Sequence, residues 1–241
     1  MSILYLVRHG QASFGQANYD RLSAAGERQC RVLGDYWVKW GVKLDAAFCG
    51  TLDRQRCSAS LVKEAYDAAG LAFPGLLELA EFNEYDTAGI LTGSIPAIIA
   101  KHPDILELAK KISPDGKPDL VGNKKDFQRM FARVMDLWVR GELKVKGLES
   151  WQEFVDRVNR GLTRVMTENG SGRTAAVFTS GGPISAAVQR ALLSPDKITM
   201  DLGWAIINSS VTEFRYSGGK FSLVSFNATP HLSEASLITY R

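Results

Sequence analysis

Residues 3–10 read ILYLVRHG. Five consecutive apolar residues with aromatic and β-branched members suit a strand buried on both faces, the kind found in parallel sheets covered by helices. The run stops at Arg8, His9 and Gly10, which then stand at the carboxyl end of the strand. Ligands of open α/β sheets bind at that end. An arginine there would hold an oxyanion, and a glycine lets the backbone come close to it.

Outward from this stretch the pattern repeats. Ser23 is placed to cap a helix in which Cys30, Leu33, Trp37 and Trp40 recur at helical spacing, with Gly41 at its end. Residues 44–50 (LDAAFCG) read as a second strand, followed by a helix from about Asp53 to Ala69. Residues 76–82 (LLELAEF) read as a third strand or extended segment. Strand and helix in alternation imply a three-layer α/β/α sandwich on a mostly parallel sheet.

From about residue 86 to 150 the pattern becomes helical, broken by the polar loop SPDGKPDLVGNKKD at 113–126. No strand pattern repeats inside this stretch, so it reads as a helical insertion or lid within a single domain of residues 1–241. Lys110, Lys111, Lys124 and Lys125 flank that loop and read as its solvated face rather than as a substrate site. A helix from about Trp151 to Thr167 leads to the strand TAAVFTS, then to Gly181-Gly182 and a helix with Pro183 in its first turn. Residues 210–216 and 220–227, joined by Ser-Gly-Gly, read as a hairpin.

A hydrophobic share of 45% with 23% charged residues is that of an ordinary globular protein. The net charge of +3 is too small to argue for a nucleic-acid partner, and none is expected, but it leaves room for a local basic pocket. Three cysteines without close metal-type spacing fit reduced thiols in a cytoplasm. The opening MSILYLVRHG has no basic start and only a short apolar run, and no stretch approaches a membrane span. The expectation is a cytoplasmic protein without a membrane partner.

Four places carry candidate chemistry. His9 with Arg8 follows the first strand, and Arg54, with Arg56 as its rival, follows the second. An arginine at a helix start opposes the macrodipole unless an anion sits there. The cluster ELAEFNEYD (78–86) offers Glu78, Glu81, Glu84 and Asp86, one of which would protonate a leaving group. The fourth place is Ser180 with Gly181 at a strand-to-helix junction. A nucleophile elbow requires G-x-S-x-G, and Phe178 stands at its first glycine. Ser180, Asp201 and His231 follow the chain order of a serine hydrolase, a coincidence that common residue types produce easily. Together the junctions describe a phosphate site with a nucleophile in it.

These residues resemble the histidine phosphatase superfamily, the phosphoglycerate-mutase-like proteins, over nearly the whole chain. LVRHGQASF is similar to that family's opening signature, and YDRLSAAGERQC to its Leu-Ser/Thr-x-x-Gly-x-x-Gln segment. CGTLDRQRCSAS resembles a looser Ser-Pro-Leu-x-Arg-Ala-x-Gln-Thr-Ala, which sets Arg54 on the family arginine. FNEYD resembles the segment that supplies the acid and points to Glu84, with Glu81 as the alternative. NSSVTEF and FNATPHL are similar to closing strands of many members.

The resemblance implies phosphoryl transfer through a phosphohistidine at His9 with Glu84 as acid, no metal and no cofactor. Arg8, Arg54, Ser180, Gly181 and Gln11 would bind the phosphate of a small phosphorylated metabolite, and the insertion would shape the leaving-group pocket. The chain departs from the family at Ser180, where His-Gly-Gly is usual, and at Gln11, where many members carry Glu. His231 in the closing motif is the candidate to compensate for Ser180, with anchoring of the C-terminal tail as its alternative role. The implied function is a phosphomonoesterase. A catalytically weak phosphate binder or sensor and a phosphoglycerate-type mutase are the alternatives. A sheet edge or the insertion offers a surface for a homodimer.

Overall fold

The computed structural model describes residues 1–13, 20–99, 101–112 and 123–240. Most of the loop read at 113–126 lies outside them. The chain divides into two compact units, Met1–Glu84 with Asp156–Arg241, and Tyr85–Val155.

The first unit is built on a six-stranded sheet. In chain order it holds β1 (Ser2–Arg8), α1 (Ala24–Lys39), β2 (Ala46–Cys49), α2 (Asp53–Ala68) and β3 (Leu76–Glu78). The second unit holds α3 (Thr87–Ile99), α4 (Pro103–Ile112) and α5 (Lys124–Val139), and α6 (Trp151–Asn169) runs from it into the first. Then come β4 (Thr174–Thr179), α7 (Gly181–Leu192), α8 (Asp196–Ala205), β5 (Val211–Ser217) and β6 (Lys220–Ala228).

The strand order is β3-β2-β4-β1-β5-β6. Strands β1 to β4 pair in parallel, and the β5–β6 hairpin joins antiparallel to β1, so the sheet is mixed with a parallel centre. Val7, Cys49, Ala176 and Phe178 pack with Leu33 and Trp37 of α1 and Val62 and Tyr66 of α2. The alternate set Leu4, Leu6, Phe48, Ala175 and Val177 is equally buried, so both faces of the sheet are covered in a three-layer arrangement. Gly218 and Gly219, both at positive φ, form the hairpin turn.

The sequence expectation differs from the structure in two places. The third strand stops at Glu78, and Ala80–Phe82 form a 3-10 turn. The physical reason is Arg157 of α6, whose Nη1 donates to the carbonyls of Ala80, Glu81 and Asn83 and holds them turned out of the sheet. After β4 there are two helices rather than one. Leu193, left-handed at φ 54°, ends α7, and Pro195 precedes α8. In the second unit, Tyr85 lies 5.0 Å from Trp138 and 5.3 Å from Phe154, ring centre to ring centre. Trp138 lies 5.5 Å from Trp151. This aromatic cluster is part of the unit's core, to which Ile90, Ile105, Val134 and Met135 also belong.

Candidate active site

The parallel register sets Arg8 beside Thr179 and Cys49 beside Phe178. The segments after β1, β2 and β4 therefore leave the sheet at one edge, and His9, Arg54 and Ser180 follow those three strands.

His9 is 5% exposed and its geometry fixes its tautomer. Nδ1 lies 2.7 Å from the Gly10 carbonyl, which only accepts, so Nδ1 carries the proton. The Nε–H of Arg54 donates to Nε2 across 3.2 Å, so Nε2 presents a lone pair. Burial first, then the charges of Arg54 and Arg8, hold the imidazole's proton affinity well below the usual 6.5. His9 is thus a neutral, buried and oriented imidazole.

Backbone packing holds His9 in position. Its N–H donates to Thr179 O at 2.8 Å, and its carbonyl receives Asn208 Nδ2 at 3.3 Å and the Ser209 N–H at 3.2 Å. Gly10 N–H donates to Ser58 Oγ at 3.1 Å. A Cβ on Gly10 would lie 2.3 Å from Gly26 O, and one on Gly26 would lie 2.1 Å from Gln11 O. Only two glycines let this loop and the first turn of α1 touch backbone to backbone. Ser23 caps α1 by accepting the Gly26 N–H and donates to Gln11 Oε1, while Gln29 Oε1 takes the Gln11 N–H. Gln11 thus braces the loop through Ser23 and Gln29.

Arg54 is 8% exposed, and its Nη1 pairs with Asp20 Oδ1 at 2.6 Å. Asp20 Oδ2 also accepts the Asp53 N–H at 2.8 Å, so one carboxylate holds the arginine and the start of α2. Arg56, the rival, faces outward to Asp53 and Glu78. Arg8 donates from Nη1 to Ile206 O, and its Nε lies 4.0 Å from where a Cβ on Gly181 would be. Its guanidinium therefore runs beside the first residue of α7.

The two acids separate cleanly. Glu84 Oε2 accepts the Gly182 N–H at 3.1 Å, at the N-terminus of α7 where the helix field favours an anion. Glu81 faces Arg164 of α6 at 3.9 Å, and its Cβ lies against Gly161. Glu84 is thus the carboxylate at the junction that also carries Ser180, Gly181 and Arg8.

Ser180 is fully buried at the N-cap of α7, but its side chain makes no cap. The Gly182 N–H is taken by Glu84, and Pro183 has none to give. The hydroxyl instead accepts from Gln55 Nε2 at 2.9 Å. His231 is buried apart from this junction. Its Nε2 lies 3.2 Å from Ser209 Oγ and its ring centre 6.1 Å from that of Tyr36. Since Ser209 Oγ gives its proton to Gln29 O, Nε2 of His231 is the donor, and burial lowers this histidine to about 4. Asp201 is exposed and pairs with Lys197. The serine-hydrolase order of Ser180, Asp201 and His231 therefore assembles no triad.

Sequence reasoning missed Asp20, Gln55, Ser58 and Asn208. Each is a polar residue of a common type, and each acquires meaning from partners far along the chain. Cys30, Cys49 and Cys57 are free thiols. Among the described residues, no group of three His, Cys, Asp or Glu side chains is placed to hold a metal, and no helix is long and apolar enough to cross a membrane.

A buried, neutral imidazole bonded to Arg54 and close to the charge of Arg8 stands at the carboxyl edge of this sheet, and the family comparison agrees with that arrangement. The family model of the histidine phosphatase superfamily (branch 1) matches residues 4–140 and 119–229, and the chain belongs to that superfamily. No curated protein matches it by sequence. Among solved structures, Bacillus stearothermophilus YhfR is similar at a TM-score of 0.66 and 16% identity, over 97% of this chain and 100% of that one. A phosphoglycerate mutase from Bacillus anthracis is similar at 0.61 and 18%, over 96% and 95% of the two chains. A phosphoserine phosphatase from Entamoeba histolytica, in complex with 3-phosphoglyceric acid, is similar at 0.59 and 16%, over 96% and 100%. At these identities the likeness is one of fold.

Proposed function

We propose that the protein is a phosphomonoesterase that works through a phosphohistidine at His9, without a metal, on a small phosphorylated metabolite. The observation that carries this reading is the state of His9: buried, neutral, anchored through Nδ1–H, and with its Nε2 lone pair turned to the Nε–H of Arg54. The neighbours described as a phosphoserine phosphatase and a phosphoglycerate mutase support a small phosphorylated substrate.

The Nε–H of Arg54 passes from Nε2 to a phosphoryl oxygen, the freed Nε2 lone pair attacks phosphorus, the ester P–O bond breaks, and the departing alkoxide takes a proton from the Glu84 carboxyl. Water then attacks the phosphohistidine, giving its proton to the Glu84 carboxylate, and the N–P bond breaks to release phosphate. Arg8 and Arg54 balance the charge on the equatorial oxygens, the work that a metal does in other phosphoryl-transfer sites. Ser180 adds a hydroxyl donor where the family resemblance leads one to expect a histidine. Losing one such donor costs about 10²–10³ in rate, which slows a catalyst without removing it. The chain acts as one domain, with residues of about 86–150 as an insertion, and the free thiols fit a cytoplasmic setting.

The test is hydrolysis of p-nitrophenyl phosphate with a chelator present. The reading expects turnover by the wild type and none by His9→Ala; equal activity in the two would sink it. A second reading, a phosphate sensor with the pocket but not the chemistry, is favoured by the same Ser180. It would win if vanadate bound tightly and a broad panel of phosphate esters went unhydrolysed.

A further inference from the structure

We propose that Gln55 is a positioning residue for phosphoryl transfer: its carboxamide holds the Ser180 hydroxyl so that the hydroxyl proton points into the anion site. The proposal rests on the reading of His9 and Ser180 given above.

Gln55 is fully buried in the first turn of α2, directly after Arg54. Its Oε1 accepts the Leu52 N–H at 3.3 Å, and its Nε2 donates to Phe82 O at 3.0 Å and Ser180 Oγ at 2.9 Å. A backbone N–H only donates and a carbonyl only accepts, so these partners fix which way the amide faces. Ser180 Oγ is therefore an acceptor toward Gln55.

A serine hydroxyl has one proton, and here it must point away from Gln55. Among the described residues no protein acceptor takes it, although Ser180 is 0% exposed. A buried hydroxyl proton without an acceptor is costly, and this one sits at the α7 N-terminus with the Gly182 N–H and Arg8 beside it. A bound phosphoryl oxygen is the acceptor this arrangement awaits. Gly50 makes the arrangement fit, because a Cβ there would lie 1.9 Å from Gln55 Oε1 and 2.8 Å from Asn83 Oδ1.

The experiment compares kcat and KM on p-nitrophenyl phosphate for Ser180→Ala, Gln55→Glu and the double variant, with Gln55→Met as a variant of similar volume without charge. His9→Ala runs alongside; its retention of activity would sink the mechanistic reading itself, separately from this proposal. Ser180→Ala should lower kcat by about 10²-fold. Gln55→Glu turns the contact round, since a carboxylate accepts the hydroxyl proton, and should lower kcat by a similar ~10²-fold. Gln55→Met leaves the hydroxyl unheld and should lower kcat by roughly tenfold. KM should change less than about threefold in each, and the double variant should be no slower than Ser180→Ala, because both changes remove the same proton. Wild-type kcat in both Gln55 variants, wild-type kcat in Ser180→Ala, or losses that multiply in the double variant would overturn the proposal.

Discussion

The Nε–H of Arg54 reaches Nε2 of His9 across 3.2 Å, while Nδ1 on the far side of the ring is tied to the Gly10 carbonyl at 2.7 Å. A protonated imidazole cannot accept that bond, so burial and the two arginines keep His9 neutral far below its ordinary range. The acid limb of kcat/KM should therefore fall well below pH 6.5. Arg54→Met should move that limb upward while slowing turnover. A profile recorded from about pH 4 to about pH 9 checks both, and a wild-type limb at 6.5 would contradict the assignment.

Glu84 and Glu81 have opposite expected phenotypes. Glu84→Gln should lower kcat/KM, which reports the phosphoryl-transfer step before hydrolysis, by about 10²-fold or more on an alkyl phosphate, whose alkoxide needs a proton, and far less on p-nitrophenyl phosphate. Glu81→Gln, which only loosens an exposed pair with Arg164, should stay near wild type on both. Steady-state rates on the two substrates decide it. Equal sensitivity of both substrates to Glu84→Gln would remove Glu84 as the acid.

Gly26→Ala sets two effects against each other. Alanine gains about 1 kcal/mol of helix propensity over glycine. Its Cβ, however, would stand 2.1 Å from the Gln11 carbonyl, and backbone contacts of that kind cost about 3 kcal/mol. The clash wins. Calorimetry should find a Tm lower by about 4–8 °C, and activity should fall with it because the displaced loop carries His9.

His231 makes stability depend on pH. Its affinity is about 4 when folded and 6.5 when unfolded, so the unfolded chain binds the proton first as the pH drops. The stabilisation is complete above pH 6.5 and is lost as pH falls toward 4, about 3 kcal/mol across the window. His231→Gln should flatten the slope of unfolding free energy between about pH 5 and about pH 6 by about 1 kcal/mol per pH unit. Urea titrations at several pH values measure it, and an unchanged slope would refute it.

What the sequence made legible followed from local pattern. The apolar run at β1 ending in Arg8-His9-Gly10, the Ser23 cap and the Gly-Gly hairpin each carry their signal within a few residues. β3 is shorter than its apolar pattern implies because its end depends on Arg157, more than seventy residues away from the carbonyls it holds. Glu84 and Glu81 sit in similar local settings, and Gly182, 98 residues on, tells them apart. Gln55 and Asp20 were silent for the same reason. The sequence signal for Gln55 was its place, on the alanine of the pattern that CGTLDRQRCSAS resembles.

In the proposed reaction His9 carries the phosphoryl group between the two steps. The most direct measurement is rapid acid-free quenching of the enzyme during turnover of a ³²P-labelled ester, followed by a test of the label's stability. A label on His9 that survives base and is lost in acid is expected, with no label in His9→Ala. Turnover with no covalent label, or an equal label in His9→Ala, would contradict it.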